Sequence, residues 1–264
     1  MKANALIKNF LDYGIVKLLN ISGPTRRKDA DFDADSTDPA NTARMSFGEM
    51  NAGRLREEDL RLASYLIKNK HTSPVEMITV WFEMKIPIFL ARQIIRHRTS
   101  SVNEISARYK VLPPEWYIPS LESIGSKSKS NKQGRDITSG NWLASMTYRT
   151  MLNINCWCSY KLYQFFMLIG IAPELARAVL HLNHYTQWVW KQDLHNLLHL
   201  VRLRRHPHAQ YEARELANHI YDLLVTVLPE FMKIWDEQEA DAALALKLLS
   251  QHKQDEIRLE TVKV

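Results

Sequence analysis

Arg96, His97 and Arg98 follow one another directly, and Asn103, Glu104, Ser106, Arg108 and Tyr109 come soon after, in the stretch RQIIRHRTSSVNEISARYK. On a helix, successive side chains fan out by about 100°, so the first three cannot line one face. They suit a helix end that touches more than one ligand group at once. If the chain runs extended beyond Thr99, Glu104, Ser106 and Arg108 project to one side, and Asn103, Ile105 and Tyr109 to the other. An acceptor, a hydroxyl and a guanidinium in one row form a polar wall suited to a nucleotide base and its phosphate. Gln93, three residues before Arg96, joins that wall from the helix. The competing possibility is a surface ion-pair network in which Glu104 and the arginines compensate each other.

The elements that must hold these residues are legible from periodicity. Leu60, Leu62, Ala63, Leu66 and Ile67 have helical spacing within Glu57–Lys70. Val75–Lys85 is rich in β-branched and aromatic residues and predicts a strand. Pro87 fits the first turn of a helix carrying Ile88 to Arg96. Ser123–Asn141 is polar and Gly- and Ser-rich, and reads as a mobile loop. Met146–Ile169 predicts a long, largely buried helix, and Pro173 begins another. His184–Gln192 alternates as a strand does. Asp193 is a credible N-cap for a helix through Arg205 that Pro207 stops. His208–Leu228 and Glu230–His252 read as C-terminal helices. Trp81, Trp188 and Trp190 lie in apolar strands and are expected in the core. The sum is α+β: helices packed on a small, mostly antiparallel sheet, as one domain over 1–264 with a C-terminal helical extension from about 229.

With 264 residues, 45% of them hydrophobic, the chain can bury a sizeable core. No apolar run reaches the ~20 residues needed to span a bilayer and no signal-peptide pattern opens the chain, so a soluble, cytoplasmic protein without a membrane partner is expected. The net charge of +6 suits anionic small molecules and is too weak to argue for a nucleic acid polymer. The two cysteines, Cys156 and Cys158, stand two apart on a helical stretch and point about 200° apart, which leaves no CxxC motif. Both sit among apolar residues without a basic cluster to activate a thiolate. Asp29–Asp38 resembles a calcium loop but carries Ala34 and Ala40 where Gly and Glu are needed, and reads instead as an acidic surface loop.

Arg-His-Arg, seven residues and Ser106 together resemble the signature of the flavin-dependent thymidylate synthases. Ala43–Phe47 (ARMSF), His71–Glu76 (HTSPVE), Pro87–Gln93, Arg177 in LARAVL, the tract YTQWVW, and RLRRHPHAQYEAR with Arg204 and His208 are similar to the family's segments in the same order, over roughly residues 41–220. The resemblance implies an enzyme that methylates dUMP to dTMP, with methylenetetrahydrofolate as one-carbon donor and NADPH as reductant through FAD. It implies a homotetramer whose active sites are shared between subunits. By the same resemblance the dUMP contacts fall on Gln93, Arg96, Glu104, Ser106, Ala107, Arg108, Arg177 and Arg204. Arg204 takes the catalytic role beside the uracil. The FAD contacts fall on Ser46, His71, Ser73, Glu76, Arg96, His97, Arg98, Asn103, Glu104, Asp193, His195, His199 and His208. Ala107 stands where Gly is common in the family. Asp193, His195 and His199 stand where some relatives have Asn, Arg and Asn.

This chemistry agrees with the residues present. A doubly charged phosphate calls for bidentate arginines, and Arg108 and Arg177 are candidates. A guanidinium at the uracil edge stabilises an electron-rich ring. Flavin carries the redox work, so no protein nucleophile is needed and the scarcity of cysteine fits. Three alternatives remain open from the residues. A relative of these enzymes would act on UMP or install hydroxymethyl. A metal-dependent hydrolase would use His195 and His199 with Asp193, or with His206 and His208, although the assignment carried by the resemblance includes no metal. A basic nucleotide- or RNA-binding protein would need stacking aromatics among its basic residues.

Overall fold

The computed structural model describes residues 6–24, 33–50, 55–128, 134–136 and 140–244. The chain forms two compact units, one of Met1–Ser22 with Thr79–Leu223 and the other of Gly23–Ile78 with Leu224–Val264.

The first unit is organised on a five-stranded antiparallel sheet in the order β1-β2-β3-β7-β4, which bears out the mixed helical and sheet class. Its strands are β1 (Ile7–Phe10), β2 (Gly14–Ser22), β3 (Thr79–Pro87), β4 (Ser100–Glu104) and β7 (Tyr185–Asp193). β3 and β7 pair along their whole length, from Thr79 opposite Asp193 to Pro87 opposite Tyr185. The alternation puts Val80, Phe82, Met84 and Ile86 of β3 and Trp188 and Trp190 of β7 on the buried face. Burying each such side chain contributes about 1.5–3 kcal/mol. Phe82 stacks on Trp190 with ring centroids 6.3 Å apart.

Trp81 faces the other side of the sheet and is 37% exposed, with the Lys191 ammonium 5.4 Å from its ring. The expectation that all three strand tryptophans are core is therefore corrected at Trp81. Period-2 geometry separates it from Trp188 and Trp190, and a cation over its face serves an aromatic ring at the water boundary.

α4 (Ile88–Ile94) follows β3 without a loop, since Pro87 takes the extended conformation of an N-cap. The helix ends at Ile94, short of Arg96. α5 (Trp142–Leu168) is capped by Asn141, whose side chain accepts from the amides of Leu143 and Ala144 at 2.9 and 3.3 Å. Its expected burial fails: Ser145, Cys156, Tyr160 and Tyr163 are buried, whereas Tyr148, Met151, Ile154, Trp157, Leu162 and Phe165 are exposed. An all-round apolar helix implies burial on every side, but among the described residues only one stripe of α5 finds a packing partner. Cys156 is buried and Cys158 exposed, as their spacing requires.

After α5 come α6 (Pro173–Ala176), a 3-10 turn over Arg177–Val179, β7, α7 (Leu194–Arg205) and α8 (Tyr211–Val227). His206 adopts an extended conformation before Pro207, and this ends α7. Within 123–141, β5 (Ser126–Lys127) pairs with β6 (Arg135–Asp136), while 129–133 and 137–139 lie outside the described residues.

The second unit contains α1 (Asp38–Arg44), a 3-10 turn over Met45–Phe47, α2 (Arg56–Lys68) and α3 (Ser73–Glu76), with a further helix over 229–244. The strand expected from Val75 begins only at Thr79, because Pro74 suits a first helical turn and Ser73–Glu76 coils instead. Arg44 pairs with Asp59, and Arg56 bridges Asp35 at 2.9 Å and Glu230. The acidic surface loop is corrected in part. Ser36, Thr37 and Asp38 are buried, with Asp38 accepting from the Asp35 amide at 2.8 Å. Asp29–Phe32 and the helix expected over 245–252 lie outside the described residues.

Candidate active site

α4 carries Gln93, Arg96 follows two residues past its end at Ile94, and β4 carries Asn103 and Glu104. β4 stops at Glu104, and the chain then turns, with the Tyr109 and Lys110 amides bonding to the Ser106 carbonyl at 3.1 and 3.2 Å. The row of three expected from an extended chain does not form. Glu104 and Ser106 line a cavity of about 390 Å³ together with Ala107, Arg177 and Thr186, against an apolar side made by Ile88 and Leu180. That volume lies within the ~300–1,000 Å³ of small-molecule sites. Arg108 turns toward Glu174 at 3.6 Å, and Arg177 donates from Nε to the Glu174 carbonyl at 3.4 Å.

Glu104 does not neutralise the arginines. It accepts a hydrogen bond from the Thr186 hydroxyl on β7. Among the described residues, Arg96, Arg98, Arg177 and Arg204 make no ion pair with a carboxylate. The surface ion-pair network is thus set aside.

A second group gathers beside α7. The His97 ring meets that of His199 edge to face at 6.3 Å, and Arg202 bonds His199 Nδ1 at 3.0 Å. Burial, with Arg204 and His199 close by, depresses His97 to about 4. His199 is lowered as well, by burial and by Arg202 and His195. His97 Nε2 and Arg204 Nε are buried without partners. Buried polar atoms without hydrogen-bond partners are costly unless a ligand satisfies them. A cation-rich, carboxylate-free set of this kind fits a group with phosphates and ring carbonyls, as flavin has.

Asp193 caps α7: its carboxylate accepts from the Asn196 amide at 2.9 Å and from the Asn196 side chain at 3.1 and 2.9 Å. Both oxygens are thereby occupied, and its charge sits at the positive end of a helix dipole. His208 stands past the end of α7, its ring 4.9 Å from that of His206. Ser46, His71, Ser73 and Glu76 belong to the second unit, where His71 stacks on Tyr65 at 6.1 Å. Among the described residues, no three His, Cys, Asp or Glu side chains come together as a metal-binding group.

Sequence reasoning missed the polar chain behind Gln93. Gln93 bonds Gln210, Gln210 donates to Glu212 at 2.9 Å, and Glu212 accepts from Arg135 at 2.8 Å and from the Tyr117 hydroxyl at 3.0 Å. Glu212 is 1% exposed. Burial favours its neutral form, but Arg135 outweighs this and its carboxyl lies below the ordinary range. The only signal in the sequence was an acidic residue within the tract HAQYEAR, which offers no hint of a partner at position 135.

An α+β unit with Arg177 at a cavity of nucleotide size, and a further group of arginines and histidines beside α7, has the features of a binder of small anionic ligands. The model of the thymidylate synthase complementing protein family matches residues 31–230. The chain is 40% identical over 222 residues to a flavin-dependent thymidylate synthase of Ehrlichia ruminantium strain Gardel, covering 83% of this chain and 69% of that one. It is 39% identical over 245 residues to that of Rickettsia bellii, covering 86% and 77%. The UMP/dUMP methylase PolB of Streptomyces cacaoi, solved with 5-Br UMP, shares the fold with a TM-score of 0.73 at 24% identity, over 88% of this chain and 97% of that one. The chain belongs to the flavin-dependent thymidylate synthase family.

Proposed function

We propose that the protein methylates dUMP to dTMP as a flavin-dependent methyltransferase, with FAD as cofactor and methylenetetrahydrofolate and NADPH as cosubstrates. The observation that carries this is that Arg96, Arg98, Arg177 and Arg204 have no carboxylate partner among the described residues, while His97 Nε2 and Arg204 Nε are buried without partners, in a chain of this family. Bound flavin supplies the reducing equivalents for the transferred carbon.

The chain's own residues do the rest. Arg177, with Ser106 and Ala107, holds the nucleotide phosphate in the cavity beside β4, since a guanidinium offers two parallel donors to phosphate oxygens. Gln93 approaches from α4 and Arg96 from the turn just beyond it. Arg204 sits against the uracil and stabilises negative charge in the ring. His97, His199, His195, Arg98, Asn103 and His208 orient the flavin, while Asp193 contributes chiefly by capping α7; the family resemblance adds Ser46, His71, Ser73 and Glu76 to the flavin contacts. The exposed apolar surface of α5 supports assembly into a homotetramer. Among the described residues, no helix is long and apolar enough to cross a membrane, which accords with a cytoplasmic enzyme.

The test is an absorbance spectrum of the purified protein followed by anaerobic NADPH, then product analysis with dUMP or UMP and methylenetetrahydrofolate. A flavin band that bleaches, and dTMP formed from dUMP, are expected. Colourless protein that takes up no FAD overturns the proposal. Faster turnover of UMP, or a hydroxymethyl product, assigns the chain to the related activity instead.

A further inference from the structure

A carboxylate accepts hydrogen bonds and cannot donate them, and that polarity propagates through the amides bonded to it. Glu212 is buried, and one of its oxygens takes both the Arg135 guanidinium at 2.8 Å and the Tyr117 hydroxyl at 3.0 Å. The other faces Gln210, which must therefore present its NH2, and does so at 2.9 Å. With its NH2 so committed, Gln210 turns its carbonyl toward Gln93, which must answer with its own NH2. The Gln93 carbonyl and its remaining N–H are then left in one fixed order at the end of α4. A Gln side chain without such support is free to rotate its amide by half a turn and to exchange donor for acceptor.

We infer that Glu212 is a positioning residue for nucleotide binding: held by Arg135 and Tyr117, its carboxylate sets the orientation of the Gln210 amide and so which side of the Gln93 amide meets the substrate. This rests on the function proposed above, which places Gln93 against dUMP. Neither Glu212 nor Arg135 needs to touch the nucleotide. Arg135 belongs to the short β5–β6 ladder, and its guanidinium also lies 5.4 Å from the Tyr211 ring.

The test is a pair of double-mutant cycles on dUMP binding to the flavin-loaded enzyme. Dissociation constants are measured for Gln93→Ala, Glu212→Gln and Gln210→Met, and for the two doubles with Gln93→Ala. Each single change is expected to weaken binding about tenfold, the factor that one hydrogen bond is worth. Each double is expected to bind no more weakly than Gln93→Ala alone, because residues acting through one contact are not additive. KM for dUMP should rise in each with a smaller change in kcat. Doubles that lose the product of the single effects, or wild-type affinity in both Glu212→Gln and Gln210→Met, overturn the inference. Wild-type affinity in Gln93→Ala has a separate meaning: Gln93 then lies off the substrate, and the placement on which the inference rests fails with it. Should Glu212→Gln fail to fold, the cycle through Gln210→Met, which leaves the Glu212–Arg135 pair intact, decides alone.

Discussion

The His97 ring, in the connection after α4, stands edge to face against the His199 ring of α7, with centroids 6.3 Å apart and planes at 65°. Burial disfavours a charge on either ring, and the neighbouring cations, Arg204 beside His97 and Arg202 beside His199, push both imidazoles further toward the neutral form.

That arrangement makes the stability of the flavin-free protein fall in mild acid. His97 titrates at about 4 in the folded chain against 6.5 ordinarily, owing first to burial and then to Arg204 and His199. As pH drops through about 6.5 the unfolded chain takes up a proton that the folded chain refuses until about 4, so the unfolded state gains across that window. The buried His184, lowered chiefly by burial, acts in the same direction. The thermal midpoint should be lower at pH 5 than at pH 7, and His97→Asn should shrink the difference. A midpoint difference unaltered by His97→Asn would show that His97 is not held neutral.

Arg177 and Arg204 should separate phosphate binding from chemistry. Arg177→Lys is expected to weaken dUMP binding about tenfold or more, since an ammonium cannot reproduce a two-pronged contact. Unchanged affinity would place the phosphate elsewhere. Arg204→Ala should retain flavin, seen by its absorbance, while product formation is lost; sustained turnover would remove its proposed role.

The exposed apolar side of α5 should be covered by other copies of the chain. Met151 and Ile154 are 58% and 50% exposed, and Trp157 is 54% exposed with the Lys161 ammonium 5.6 Å from its ring. Replacing Met151 and Ile154 together by Asp should shift the assembly toward monomer in sedimentation velocity and leave far-UV dichroism unchanged. An unaltered sedimentation coefficient would show that this surface lies outside the assembly contact.

Two tryptophans on adjacent strands should differ sharply in stability. Trp190 is 0% exposed, and Trp190→Ala should cost about 3–5 kcal/mol in denaturant unfolding, the range for deleting a large buried aromatic. Trp81→Ala, at the water boundary, should cost about 1 kcal/mol or less. Equal losses would contradict the facing of β3.

The primary structure by itself determined the class of fold, the positions of most helices and strands, and the family to which the chain belongs. Local signals suffice for these: Asp193 as the N-cap of α7, Pro207 as its stop, alternation through YTQWVWKQ, and the density of Arg, His, Asn and Glu after Gln93 are each read within a few residues. Tertiary structure alone decided which groups meet. No local pattern says that β4 ends at Glu104, that Glu104 takes the Thr186 hydroxyl instead of an arginine, or that α5 leaves most of its apolar surface exposed among the described residues. Nor does any local pattern join Arg135 to Glu212. Pairings between distant residues depend on how strands register and helices pack, because the free energy of a buried hydrogen bond or ion pair is realised only when folding brings both partners out of water together.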